Sequence, residues 1–137
     1  MSRKLEDLEP ETRAMADKLI EQAQAAGFPI MVTQTLRTFF EQDLLYAQGR
    51  TKEGKIVTNA KGGYSWHNFG RAFDVVFVDA DGKPDWEGPW DDLGVLGETT
   101  GLEWGGRWKS FHDRPHFEHR SGMTLAQARE KYAHNSI

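Results

Sequence analysis

AFDVVFV, residues 72–78, is the stretch on which the fold turns. β-Branched and aromatic residues dominate it, and the turn sequence DADGKP closes it, so it reads as a strand. Asp74 stands at the mouth of this apolar run. A carboxylate there is expensive to bury unless something cationic meets it. A metal ion would serve, and so would Arg71 or a backbone cap. Taken alone, Asp74 reads most simply as a capping or pairing residue.

Working outward, residues 30–36 (IMVTQTL) form a second β-branched run and a second strand. Ahead of it, Met15, Leu19, Ile20 and Ala23 recur at helical spacing over residues 10–26. Pro10 suits the first helical position and Gly27 ends the helix. Further helices are expected over 39–48, ending at Gly49, over 90–100, and over 124–133 with Thr124 as cap. A short strand is expected around 116–119. Residues 50–63 (RTKEGKIVTNAKGG) read as a long surface loop, of a length that tends to be functional or mobile. The mixture of helices and strands with antiparallel pairing gives an α+β class.

The chain has 137 residues, which fits one domain spanning 1–137 and leaves little room for a second. Hydrophobic residues make up 38% and charged residues 28%, so the chain can bury a core and is not disordered. Its five Trp can fill that core or line a groove. A net charge of −4, with no basic cluster, argues against nucleic acid as partner. Cysteine is absent, which excludes disulfides and thiolate metal sites and leaves His and carboxylates as the only strong ligands. The opening MSRKLEDLEPETRAMADKL has no apolar segment after its basic residues, so no secretory signal is read there. No stretch reaches the ~18 apolar residues of a membrane span.

Polar residues suited to a buried site concentrate in three segments. In SWHNFGRAFD, residues 65–74, His67 sits in a Gly-containing turn, with six residues between it and Asp74. In HDRPHFEH, residues 112–119, three His lie close together. Pro115 opposes a helix that would pair His112 with His116. If residues 116–119 are extended, His116 and Glu118 share one face and His119 points the other way. One His, one Asp and a distant His supply three N/O ligands, the set of a catalytic zinc with a fourth position open to water. Asp113 lies close enough to His116 to serve as general base. In TLRTFFEQ, residues 35–42, Arg37 could hold a substrate carboxylate or an oxyanion, or simply pair with Glu41 on the surface. None of these segments decides the matter by itself.

Together they resemble the zinc peptidoglycan peptidases that include VanY-type D-Ala-D-Ala carboxypeptidases and the L-alanyl-D-glutamate endopeptidases of phage endolysins. The family's Ser-x-His-x-x-Gly-x-Ala-x-Asp motif stands complete as Ser65, His67, Gly70, Ala72 and Asp74. Its Asp/Glu-x-x-His motif is Asp113 to His116, followed by Phe117. Arg37-Thr38 through Gln42 matches the upstream Arg-Ser/Thr-x-x-x-Gln element, and Trp104 to Trp108 matches a Trp-Gly-Gly-x-Trp run. The matches span residues 37–117 in the family's order.

The resemblance implies a hedgehog/DD-peptidase-like fold with the zinc site on the sheet. It implies His67, Asp74 and His116 as zinc ligands, Asp113 as base and Arg37 as oxyanion stabiliser. Ser65, Gln42 and Trp104 would line the site, with Ser65 donating to Asp74. Asp as the base, within WKSFHDRPHFE, looks like the L-alanyl-D-glutamate branch, since carboxypeptidase relatives more often carry Glu. The substrate implied is the peptidoglycan stem peptide, cut by a monomer without a membrane anchor. The lack of a readable signal fits an endolysin made in the cytoplasm that reaches the wall at host lysis. The competing readings are a D-Ala-D-Ala carboxypeptidase and a zinc module that binds without hydrolysing.

Overall fold

The computed structural model describes residues 1–132. A 3-10 turn, Leu5–Asp7, leads into helix α1, Pro10–Ala25. Pro10 takes the first helical position, and the Glu9 carboxylate accepts the Thr12 N–H at 2.6 Å in place of the missing intrahelical partner. Strand β1, Ile30–Gln34, is followed by helix α2, Phe39–Ala47. Thr38 and Glu41 form a reciprocal capping box at the start of α2, with Thr38 the last extended residue and Arg37 just ahead of it.

Strand β2, Ala72–Val78, is the expected AFDVVFV run. Then come the short strand β3, Pro84–Asp85, helix α3, Trp90–Thr99, and the short strand β4, Glu103–Trp104. Strand β5, His116–Glu118, and helix α4, Leu125–Lys131, complete the order. Thr124 caps α4 through the Gln127 N–H, as expected, while position 133 of the expected helix lies outside the described residues. The sheet runs β1-β2-β5-β4, with β3 on β2, and every pairing is antiparallel. The fold is α+β.

The alternation of β2 explains why a carboxylate is tolerated in so apolar a strand. Phe73, Val75 and Phe77 face the main core, where they meet Leu19 and Ala23 of α1 and Trp90 and Leu93 of α3. Phe117 of β5 joins them, stacked on Phe73 with ring centroids 5.8 Å apart. Gly97 lets α3 lie directly on this layer, because a Cβ there would come within 2.3 Å of the Phe117 ring. Each buried aromatic of this layer stabilises the fold by roughly 1.5–3 kcal/mol. Asp74 lies on the opposite face, away from the core.

Strand β1 stops two residues short of the expected Leu36. A register shift between Val32 and Gln34 bends it, and Thr35 then leaves the sheet to donate its N–H to the Ser2 carbonyl at 2.8 Å. Strands β3 and β4 were not anticipated. Each has only two residues, too short for periodicity to register.

Candidate metal centre and catalytic cleft

On the face of the sheet away from the core, β2 and β5 pair Asp74 directly with His116. The ring of His67 arrives from a 3-10 turn, Trp66–Phe69, capped by Ser65 and closed by the left-handed Gly70. Asp74 Oδ1 lies 3.2 Å from His67 Nε2 and 3.2 Å from His116 Nδ1. All three groups are within 4.8 Å of one another and could hold a metal ion.

The outer nitrogens of both rings are already committed. His67 Nδ1 donates to the Thr35 carbonyl at 2.8 Å, the carbonyl freed where β1 leaves the sheet. His116 Nε2 donates to the Glu118 carboxylate at 2.7 Å. These bonds place the protons outward and turn the two inner lone pairs toward Asp74, the arrangement that orients imidazole ligands. Two nitrogen lone pairs and a carboxylate oxygen facing one another at this range repel unless a cation lies between them. A tetrahedral centre with bonds of about 2.0 Å has edges of about 3.3 Å, which matches both measured separations. The donor set therefore fits zinc.

The same geometry sets the charge states. Burial pushes the Asp74 carboxyl up, but His67 and His116 pull harder and hold it well below the usual carboxylate range. Burial opposes charge on His116, yet its bonds to Asp74 and Glu118 outweigh that and raise it from 6.5 to about 10. Without a metal, a proton on His116 thus occupies the gap. Glu118 is held low: burial raises it, but His116 and Arg120 prevail.

Beside the ligands opens a cavity of about 520 Å³, within the usual range for a binding cleft. His67, Asp74, His116, Asp113 and Arg37 all line it, so five of the expected residues converge on one space. The loop over 57–60 forms one wall, tied down where Gln42 Nε2 donates to the Ala60 carbonyl at 2.7 Å. Trp108 stands over His116, with ring centroids 5.1 Å apart.

Asp113 comes within 4.0 Å of His116 Nδ1. Burial raises its carboxyl above the ordinary value and Asp74 adds to this, against the pull of His116, His67 and Arg37. A carboxylate so placed is suited to taking a proton near the metal position. Arg37 does not pair with Glu41, which instead meets the N-terminal amine and the α2 cap. It is buried, and its two terminal nitrogens donate to Gln42 at 2.8 Å and to Gln34.

The three residues expected to line the site divide. Ser65 lines the cavity, but its hydroxyl accepts the His67 N–H at 3.3 Å as a cap instead of donating to Asp74. Gln42 is fully buried behind Arg37 and positions it. Trp104 is a core residue whose indole N–H donates to the Arg114 carbonyl at 2.8 Å, fixing the segment that carries Asp113. Neither ring nor amide could reach the cleft while making these bonds.

Sequence reasoning gave Asn68 no role. Its side-chain oxygen accepts from Gly63 and Ser65, and its amide donates to the Arg37 carbonyl at 2.9 Å. The Ser65-x-x-Asn68 spacing of a capping box was the available signal. The Thr35 carbonyl left no signal at all, because any residue offers one.

Comparisons with known proteins agree with this site. Two family models, both described as D-alanyl-D-alanine carboxypeptidase, match residues 5–87 and 58–119. The chain is 42% identical over 122 residues to the peptidoglycan L-alanyl-D-glutamate endopeptidase CwlK of Bacillus subtilis, covering 82% of this chain and 73% of that protein. It is 31% identical to the L-alanyl-D-glutamate peptidase of Listeria phage A118, covering 78% of this chain. Only 36% of the phage enzyme's own length is spanned. Among solved structures, the Serratia marcescens L-Ala D-Glu endopeptidase ChiX matches with a TM-score of 0.59 and 26% identity, over 90% of this chain and 85% of that one. No helix among the described residues is long and apolar enough to cross a membrane. With its site motifs brought together on one face of the sheet, the chain belongs to the VanY-type D-alanyl-D-alanine carboxypeptidase family of peptidases.

Proposed function

We propose that the chain is a zinc-dependent peptidase of bacterial peptidoglycan that cuts between L-alanine and D-glutamate in the stem peptide. The observation that carries this is the convergence of His67, Asp74 and His116 on a three-donor centre, with Asp113 beside it on an open cleft. The endopeptidase assignment is supported by the names of the relatives CwlK and the phage enzyme, and by Asp at the base position.

His67, Asp74 and His116 would hold zinc, which when bound supplies Lewis acidity to water and to the scissile carbonyl. Asp113 takes the proton of the attacking water and later returns it to the departing amine. Arg37, held in place by Gln42 and Gln34, directs remaining N–H groups to the oxyanion. Glu118 and the Thr35 carbonyl keep the two imidazoles turned inward throughout. The endolysin role, in which a monomer acts on the wall at host lysis, is part of the same proposal and is supported by the phage relative.

Mass spectrometry of defined muropeptides, incubated with zinc-loaded protein beside a chelated control, tests the reading. Products ending at L-alanine, absent with chelator, are expected. Release of a terminal D-alanine would instead make the chain a carboxypeptidase, the activity that describes both family models. Bound zinc without any product would leave a binding module.

A further inference from the structure

Among the described residues, two arginines line the cleft, and they are held differently. Arg37 is buried and its terminal nitrogens are engaged by Gln42 and Gln34. Arg120, just past β5, is held by its Nε alone. That nitrogen donates to the Glu118 carboxylate and lies 2.7 Å from the Glu103 carboxylate. The guanidinium carbon lies 5.8 Å from the centroid of the Trp66 ring, which also lines the cleft. Among the described residues the two terminal nitrogens of Arg120 donate no hydrogen bond, which leaves their N–H groups for a ligand. The side chain is 43% exposed, open to a ligand in the cleft.

The position is as informative as the donors. Glu118 bridges His116 and Arg120 through its two oxygens, so the guanidinium sits one carboxylate's width beyond a metal-ligating ring. Arg120 lines the same cleft as Asp74 and His116, so a substrate whose scissile bond lies at the three donors runs along the wall that carries Arg120. In an L-alanyl-D-glutamyl peptide, the glutamyl residue supplies the leaving amine. It has two carboxyl groups, and only one can continue the chain. The other remains a carboxylate within one residue of the bond that breaks.

We propose that Arg120 is a specificity-determining residue whose terminal nitrogens bind the free carboxylate of that glutamyl residue. The planar fork suits a carboxylate and has no comparable affinity for a neutral amide of the same shape. The inference rests on the endopeptidase reading above.

The test uses two peptides carrying the L-Ala–D-Glu bond, identical except that the free glutamyl carboxyl is a carboxylate in one and a primary amide in the other. Zinc-loaded wild-type protein should prefer the carboxylate by about tenfold in kcat/KM, mainly through KM. Arg120→Gln should reduce that preference to within about twofold, and Arg120→Lys should restore part of it. Equal efficiency of the wild type on both peptides would overturn the proposal. So would an Arg120→Gln variant that slows both peptides by one factor with the preference intact, or that loses its zinc, since either would place Arg120 behind Glu118 as a structural group. If the wild type with zinc bound cleaves neither peptide, the endopeptidase reading fails on its own. Calorimetric titration of the same pair then still reads the subsite, through a tighter Kd for the carboxylate that Arg120→Gln removes.

Discussion

At the residue scale, the site separates groups that hold the metal from groups that move a proton. Asp113→Ala should lower kcat by about 10²–10⁴-fold and leave zinc content unchanged, because Asp113 is not one of the three donors. Near-normal turnover in that variant would remove Asp113 from the mechanism. His67→Ala should instead fail to retain zinc on metal analysis. Glu118→Gln exchanges the carboxylate behind His116 for a neutral amide, and zinc affinity by chelator competition should fall by about 10–100-fold. Asp113 also gives a signed pH effect. As base it works only when ionised, so kcat/KM is lost as pH falls through its raised pKa. Arg37 opposes that rise, so Arg37→Gln should move the acidic limb to higher pH, beyond any loss in rate. A limb that stays in place would uncouple the two residues.

At the element scale, the Gly105–Arg107 turn sets where the base stands. The Asp113 N–H donates to the Gly105 carbonyl at 3.1 Å, and a Cβ on Gly105 would sit 2.4 Å from the Asp113 carbonyl oxygen. The atom met most closely is backbone and cannot swing aside, so Gly105→Ala must displace the segment carrying Asp113. Its kcat should fall by at least about tenfold with zinc retained, and unchanged kcat would mean that the turn does not position the base. This dependence also marks the limit of what the sequence discloses. Alternation over residues 116–119 put His116 beside Glu118, and the strand bears that out because which face a side chain takes is a local property of an extended chain. The Ser65 to Asp74 motif was legible for a similar reason: its spacing is fixed by one turn and one strand. The carbonyl of Thr35 and the burial of Trp104 were not legible. They depend on a bend in β1 and on β4 meeting β5, contacts between segments far apart in the chain. The matching motif marked Gln42 as touching the substrate or standing behind a residue that does, and its bond to Arg37 puts it in the second of these places.

At the scale of the whole molecule, the metal centre joins β2, β5 and the 3-10 turn, so its charge balance bears on folding as well as catalysis. In metal-free protein the His116 pKa is raised from 6.5 to about 10. A raised pKa means that the folded state binds the proton more tightly than the unfolded chain does. Its contribution is complete below about pH 6.5 and disappears as pH rises toward 10. Asp74 is depressed, so its contribution persists at neutral pH and is lost only in strong acid. Metal-free protein should therefore lose stability between pH 6.5 and 8.5. Zinc behaves oppositely, because it must displace the proton from His116 and binds more tightly as that proton becomes easier to remove. At a thousandfold excess over Kd, a ligand specific for the folded state adds about 4 kcal/mol. The rise in Tm on adding zinc should thus grow from pH 6.5 to 8.5, and Glu118→Gln, which removes a charge that holds the proton without removing a zinc donor, should reduce that growth. Thermal unfolding with zinc and with chelator across this range decides the point. A zinc-induced shift that is the same at both ends would mean that no proton is exchanged for the metal, and that His116 is not the group between them.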